Sequence, residues 1–225
     1  MSNKGKNSNY KNNIGEAAVA TKKKGLSKDQ KKDIIIWGSF VAVMLGIIIA
    51  VIICSIPKTT YVEMDFGDYG KIVIQLDEDE APITVKNFVG LVKSGFYDGL
   101  TIFRAQNNFV IQGGKDDTVN LPTIKGEFNS NGVSNNISHV RGVISMARTN
   151  APDSATSQFF ITLADSAAYS LDGSYAGFGY VVEGMDVVDK IAEDLMKCPS
   201  DSMGFVSDED AIKIVSAKVI KYKGK

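Results

Sequence analysis

The chain has 225 residues, 44% of them hydrophobic and 23% charged, a balance that fits one folded domain with additional segments and excludes a mostly disordered protein. The net charge of −1 conceals an asymmetry, because residues 1–33 hold nine lysines against three acids while the remaining 192 hold 16 basic and 23 acidic groups. Two cysteines and one histidine exclude a disulfide framework and a metal site built on those residue types.

Residues 1–33, rich in Asn, Lys, Ser and Gly, lack apolar periodicity and are predicted to be a disordered cytoplasmic tail. No aromatic residue beyond Tyr10 is interleaved with the lysines, so topology control, and no nucleic-acid partner, is the reading of that charge. Ile34 to Ile56 is a run of 23 residues without a charge, which as a helix crosses a hydrocarbon core of about 30 Å. It exceeds the apolar region of a signal peptide, about 7–15 residues, and has no small-x-small cleavage site, so an uncleaved transmembrane helix in contact with lipid is predicted. Lys22, Lys23, Lys24, Lys28, Lys31 and Lys32 precede it and only Lys58 follows closely. The positive-inside bias then gives a single-pass cell-membrane protein, amino terminus cytoplasmic and the rest extracytoplasmic. A short linker, 57–60, reaches only about 3.3–3.6 Å per residue, which keeps the domain at 61–225 near the bilayer.

From Tyr61 the pattern turns to short strands. VEMDF (62–66) and KIVIQL (71–76), joined through Gly67-Asp68-Tyr69-Gly70, read as a hairpin. Pro82 opens a segment in which Val85, Phe88, Val89 and Val92 repeat at helical spacing before Gly95, predicting an amphipathic helix. Further strands are predicted at 142–147, 159–162, 179–183 and 212–222, and a second helix at about 185–196. Many short strands with two helices give a mainly β fold, a closed antiparallel barrel. The acidic segment Pro199–Asp210 has no role legible in its residues.

The residues offer little acid–base chemistry. His139 with Ser145 nearby lacks a nucleophile-base-orienter pattern and reads as structural. Asp77/Asp79 and Asp208/Asp210 read as solvated carboxylates, the first pair favoured by a helix dipole. Gly113-Gly114 is followed by no Lys-Ser/Thr and reads as a backbone turn.

Three stretches taken together are specific: FRAQNNFVIQGG (103–114), GVISMARTNAPDSATSQFFIT (142–162) and SLDGSYAGFG (170–179). Over about residues 61–222 the chain resembles the cyclophilin family of peptidyl-prolyl cis/trans isomerases, in its bacterial form. The resemblance implies an eight-stranded closed barrel, no cofactor, no metal, and proline-containing polypeptides as partners of a monomer. Carried over position by position, it places the catalytic arginine at Arg104, with Gln112 orienting it. It puts the proline pocket at Phe109, Met146, Phe160 and Leu171, and the remaining groove at Val110, Ala147, Arg148, Thr149, Gln158 and Tyr175. Phe103, Asn107-Asn108, Ser170 and Tyr175 depart from the family's usual residues, which bears on cyclosporin sensitivity more than on catalysis.

The implied reaction suits this composition. An X-Pro bond turns over a barrier of about 18–20 kcal/mol, set by amide resonance. Lowering it moves no proton, so an arginine and an apolar cup suffice in type. The expected role is to accelerate proline-limited folding of exported proteins at the membrane, and the second reading is a proline-peptide-binding chaperone with little turnover.

Overall fold

In a computed structural model of the chain, residues 27–54 and 59–224 are described, with backbone only for 50–54. They form two compact units that divide after Ser55.

The first unit contains helix α1, Lys28–Cys54. It begins six residues before the predicted span, inside what the sequence suggests is tail. The reason is a reciprocal cap: Ser27 N–H donates to Gln30 Oε1 (3.0 Å) and Gln30 N–H to Ser27 Oγ (3.2 Å), satisfying helix-end donors that would otherwise be orphaned. Among the described residues, α1 is the one helix long and apolar enough to cross a membrane. The predicted tail at 1–26, the last two residues of the predicted span and the first two of the linker lie outside the described residues.

In the second unit, strand β1 (Thr59–Asp65) pairs antiparallel with β2 (Lys71–Asp77), as the hairpin pattern predicts. Helix α2 (Pro82–Lys93) follows, then β3 (Thr101–Gln106), β4 (Val110–Gly113), β5 (Val143–Met146) and β6 (Phe159–Thr162). The short helix α3 (Ala168–Leu171), β7 (Gly177–Glu183), α4 (Met185–Lys197), β8 (Ile212–Lys213) and β9 (Ser216–Ile220) complete the chain. The single strand expected over 212–222 is thus two.

The strands form one mainly antiparallel, curled sheet in the order β8-β3-β4-β6-β5-β7-β2-β1-β9. The expected strand count of eight is corrected by this order. Among the described residues there are nine strands, and no ladder joins β8 to β9. Those end strands are consecutive in the chain, and the link between them is tied to both sides: Ile214 N–H donates to Leu100 O (2.7 Å) and Val215 N–H to Asp65 O (2.8 Å).

The core lies between the sheet and α2 and α4. Phe88 of α2 meets Tyr97, Phe159 and Phe178 with ring centroids 5.2, 5.9 and 5.0 Å away, an aromatic nucleus at the spacing such rings prefer. α2 has no local side-chain cap. Instead Glu127, buried at 2% exposure, accepts from Ile83 N–H, Thr84 N–H and Thr84 Oγ–H at 3.0, 2.7 and 2.7 Å. A carboxylate at a helix N-terminus also meets the positive end of the dipole. Glu127→Ala leaves these donors unsatisfied and lowers stability by about 2–4 kcal/mol, measurable as a lower urea midpoint.

Candidate functional site

Arg104 stands on β3 directly opposite Gln112 on β4, and the register around them carries a bulge between Ile102 and Arg104. One extra residue, Phe103, therefore sits on the β3 side, and bulges of this kind re-aim neighbouring side chains. The turn from β3 to β4 closes through Phe109 N–H to Gln106 O (3.0 Å), with Asn108 at φ 54°, a left-handed conformation that Asn tolerates. The Asn107-Asn108 departure therefore leaves the hairpin intact.

The guanidinium is held on three sides. Nη1 donates to Gln112 Oε1 (2.9 Å), Nη2 to Gln106 Oε1 (2.9 Å) and Nε to Met203 O (2.8 Å). Gln112 Nε2 in turn donates to Gln158 Oε1 at 3.0 Å, so the orientation of the Gln112 amide is fixed from behind. Three of the five guanidinium N–H groups are engaged by these bonds, leaving one on each terminal nitrogen for a ligand. Burial lowers the Arg104 pKa from its usual value, partly opposed by the Asp201 carboxylate. It remains a cation at neutral pH.

Beside it opens a cavity of about 400 Å³. Val110, Phe160 and Leu171 are buried, Phe109, Ala147 and Tyr175 pack against them, and this cluster is the apolar cup of the cavity. Phe160 meets Tyr175 edge-on at 5.6 Å. Arg148 forms the flank: Nε and Nη2 donate to Ser174 O (3.1 and 2.8 Å) and Nη1 to Thr149 O (2.8 Å). Its guanidinium lies between the Tyr175 and Phe128 rings at 4.6 and 5.0 Å. Thr149 and Gln158 line an adjoining depression that shares Gln112, Ala147 and Arg148 with the main cavity.

Of the residues expected in the proline pocket, Phe109, Phe160 and Leu171 come together and Met146 does not. Met146, at 2% exposure, belongs to the main core with Phe159. The ladder explains it: β5 and β6 pair Ser145 with Phe160 and Met146 with Phe159, and side chains alternate faces along a strand. Met146 therefore points into the sealed interior, and Val110, expected along the groove, takes a place in the cup.

Two cavity residues were missed altogether. Met203 and Phe205 come from the acidic segment after α4, about a hundred residues from Arg104. A tight turn there has Gly204 N–H donating to Asp201 O (3.0 Å), and Asp201 Oδ1 accepting from Met203 and Phe205 N–H (2.8 and 3.0 Å). The turn docks on β3 where the bulge has freed the backbone: Ala105 N–H donates to Gly204 O and Val206 N–H to Phe103 O, both 3.0 Å. Gly204 sits at φ +82° and a Cβ there would collide with Ala105 O, so glycine is required. The Phe205 ring stacks on Phe103 at 5.9 Å and faces the Arg104 guanidinium at 5.1 Å. The sequence signal for this was the Asp-Ser-Met-Gly turn followed by Phe-Val, which marks a hairpin but not where it docks.

Behind the cup lies an Asp-His-Ser arrangement. His139 Nδ1 is 2.8 Å from Asp172 Oδ1 and Nε2 is 2.9 Å from Ser145 Oγ. An ionised carboxylate only accepts, so Nδ1 carries the proton and Nε2 accepts from the serine hydroxyl. Hydrolysis is nonetheless closed to it, because Ser145 has no exposed surface and His139 is 1% exposed, with the Phe160 ring stacked over the imidazole at 6.0 Å. Burial lowers the His139 pKa below its usual 6.5, outweighing the upward pull of Asp172. For Asp172 burial pushes upward, but its hydrogen bonds from His139 and Ser138 hold it below the usual carboxylate value. Both shifts have the same consequence. The unfolded chain binds more protons, so this network's stabilisation is present above about pH 6.5 and is lost as pH falls through the lowered folded values. Thermal melts should show this acid-side loss in the wild type, and a smaller one in His139→Asn.

The chain is similar to known proteins of one family. The description "cyclophilin type peptidyl-prolyl cis-trans isomerase/CLD" matches residues 61–219. The peptidyl-prolyl cis-trans isomerase of Acinetobacter baylyi is 40% identical over 184 residues, covering 80% of this chain and 94% of that protein. Peptidyl-prolyl cis-trans isomerase A of Dickeya dadantii is 42% identical over 163 residues, 68% and 80% of the two chains. In structure, a Cryptosporidium parvum cyclophilin-type isomerase, in the presence of the dipeptide Ala-Pro, aligns with TM-score 0.59 and 25% identity over 72% of this chain and 99% of that one. An arginine fixed beside an apolar cup, on a curled sheet of this topology, and relatives matching across nearly all of the second unit lead to one assignment: the chain belongs to the cyclophilin-type peptidyl-prolyl cis-trans isomerases.

Proposed function

We propose that Arg104 and the cup of Phe109, Val110, Phe160 and Leu171 are the isomerase site. The observation that carries this reading is that Arg104 is fixed on three sides at the edge of an apolar cavity with donors to spare. The cup holds the pyrrolidine ring and excludes water, which favours the polar planar amide, while the group before the proline swings. Arg104 donates to the prolyl unit as its nitrogen pyramidalises and amide conjugation is lost. One charge-assisted hydrogen bond contributes about 1.5–3 kcal/mol, or roughly 10–150-fold. The remainder comes from complementarity to the twisted amide.

No proton changes hands in this scheme. A proline-peptide assay on the full chain in detergent should therefore give catalysis well above the spontaneous rate, flat from about pH 6.5 to 8.5. Tight peptide binding at the uncatalysed rate would identify a binding module instead, and a bell-shaped profile would refute the proton-free step.

The same reading places the enzyme in the cell membrane. Residues 1–33 are the cytoplasmic tail, 34–56 the lipid-embedded anchor and 57–60 the linker. The domain 61–225 lies outside as a monomer acting on exported, proline-limited chains. The excess of lysine before the apolar run supports that orientation. Closure of the curled sheet into a barrel through Ile214-Val215 belongs to the same reading, supported by its bonds to Leu100, just before β3, and to Asp65 of β1. Protease added to intact cells should remove the domain, and full protection would reverse the topology.

A further inference from the structure

The cavity beside Arg104 is larger than a proline needs. At about 400 Å³ it is within the range that holds a small multi-residue ligand, whereas a pyrrolidine is one five-membered ring. Its apolar cup is one cluster of packed side chains, and Met203 and Phe205 are not among them. They line the cavity from the Arg104 side, where Phe205 covers the guanidinium and Met203 supplies a carbonyl to it.

The side chain of Met203 does something different from its carbonyl. It is 54% exposed, an unusual place for a thioether on a turn whose backbone is so thoroughly tied down. The turn is pre-organised: two N–H groups are bound by the Asp201 carboxylate, two backbone bonds join it to β3, and Gly204 lies against Ala105. Holding an exposed, adaptable apolar side chain on a rigid support at the rim of a cavity lowers the ordering cost for a ligand that packs against it.

Resting on the assignment of this cavity as the isomerase site, we propose that Met203 and Phe205 form a second, apolar subsite. It receives a large apolar side chain, such as leucine, of a residue adjoining the substrate proline. The turn 201–206 then acts twice, its backbone positioning Arg104 and its side chains selecting the substrate. Continuity with the proline cup fixes what the occupant must be: part of the same peptide, within one residue of the ring. The chemistry of the wall fixes its class, because Met203 and Phe205 offer apolar surface and Arg104 repels a neighbouring cation.

The test measures kcat/KM of the full chain in detergent for two peptide series, with leucine or glycine placed before the proline in one and after it in the other. In at least one series the wild type should prefer leucine about fivefold or more. Met203→Ala, which keeps the carbonyl on Arg104, should cut that leucine-to-glycine ratio at least threefold, and Met203→Leu should restore it. A ratio near one in both series of the wild type, or a ratio that survives Met203→Ala, overturns the subsite while turnover of the glycine peptides leaves the isomerase assignment standing. No catalysis of any peptide by the wild type would remove both.

Discussion

Arg104→Ala lowers kcat/KM for a proline peptide about 100-fold, measured on the full chain in detergent. The expectation follows from what the side chain does at the site. It supplies a fixed cation with two N–H groups left over from three internal bonds, and a charge-assisted bond formed as the amide twists is worth about 1.5–3 kcal/mol. Loss falls mainly on kcat if the bond strengthens toward the transition state, and on KM if it serves only to bind. Arg104→Lys keeps the charge but cannot bridge Gln112, Gln106 and Met203 O with a planar fork, so it should still lose about tenfold. A full rate in Arg104→Ala would remove the guanidinium from the mechanism and leave the apolar cup as the entire catalyst.

Phe160→Ala is expected to have the next largest effect, and on two quantities at once. Phe160 is 4% exposed, touches Tyr175 edge-on and covers His139, so truncation costs about 3–5 kcal/mol of stability. In the proposed site it also removes the wall against which the pyrrolidine would bury its methylenes. At about 0.8 kcal/mol per methylene, losing two to three of them raises KM or lowers kcat/KM by roughly 15–60-fold. Phe159→Leu separates the two effects. Phe159 is on the same strand but faces the core against Phe88 and Tyr97, so that change should lower the melting temperature and leave KM alone. Equal KM values for Phe160→Ala and the wild type, at a temperature where both are folded, would mean that the ring is core and not cup.

The element pattern was open to reading because it is local. The helix over 82–93 shows itself in Val85, Phe88 and Val92, which the fold buries, and the first hairpin in its turn residues and alternation. Arg104 and Gln112 were recognisable through the resemblance carried by FRAQNNFVIQGG, and the strand register then sets them opposite each other. Face assignment was harder. Met146 and Phe160 are both apolar residues in short buried strands, and only the pairing of Ser145 with Phe160 shows that they point to opposite sides of the sheet. Short strands buried on both faces carry no alternation from which to tell them apart.

The contacts that complete the site span long intervals of chain. Glu127 caps a helix more than forty residues before it, and Met203 holds an arginine 99 residues away. Neither leaves a periodic trace, since each depends on where a turn comes to rest and not on its neighbours. The amino acids alone determined the apolar run at 34–56, the strand and helix segments and the motifs that carry Arg104 and Gln112, because all of these are set by residue type and short-range spacing. Only the tertiary structure decided that Met146 is sealed inside, that Val110 lines the cup, that His139 is walled off, and that the 201–206 turn reaches Arg104. Strand register and loop docking are fixed by the simultaneous packing of distant segments, and no single stretch of chain encodes them.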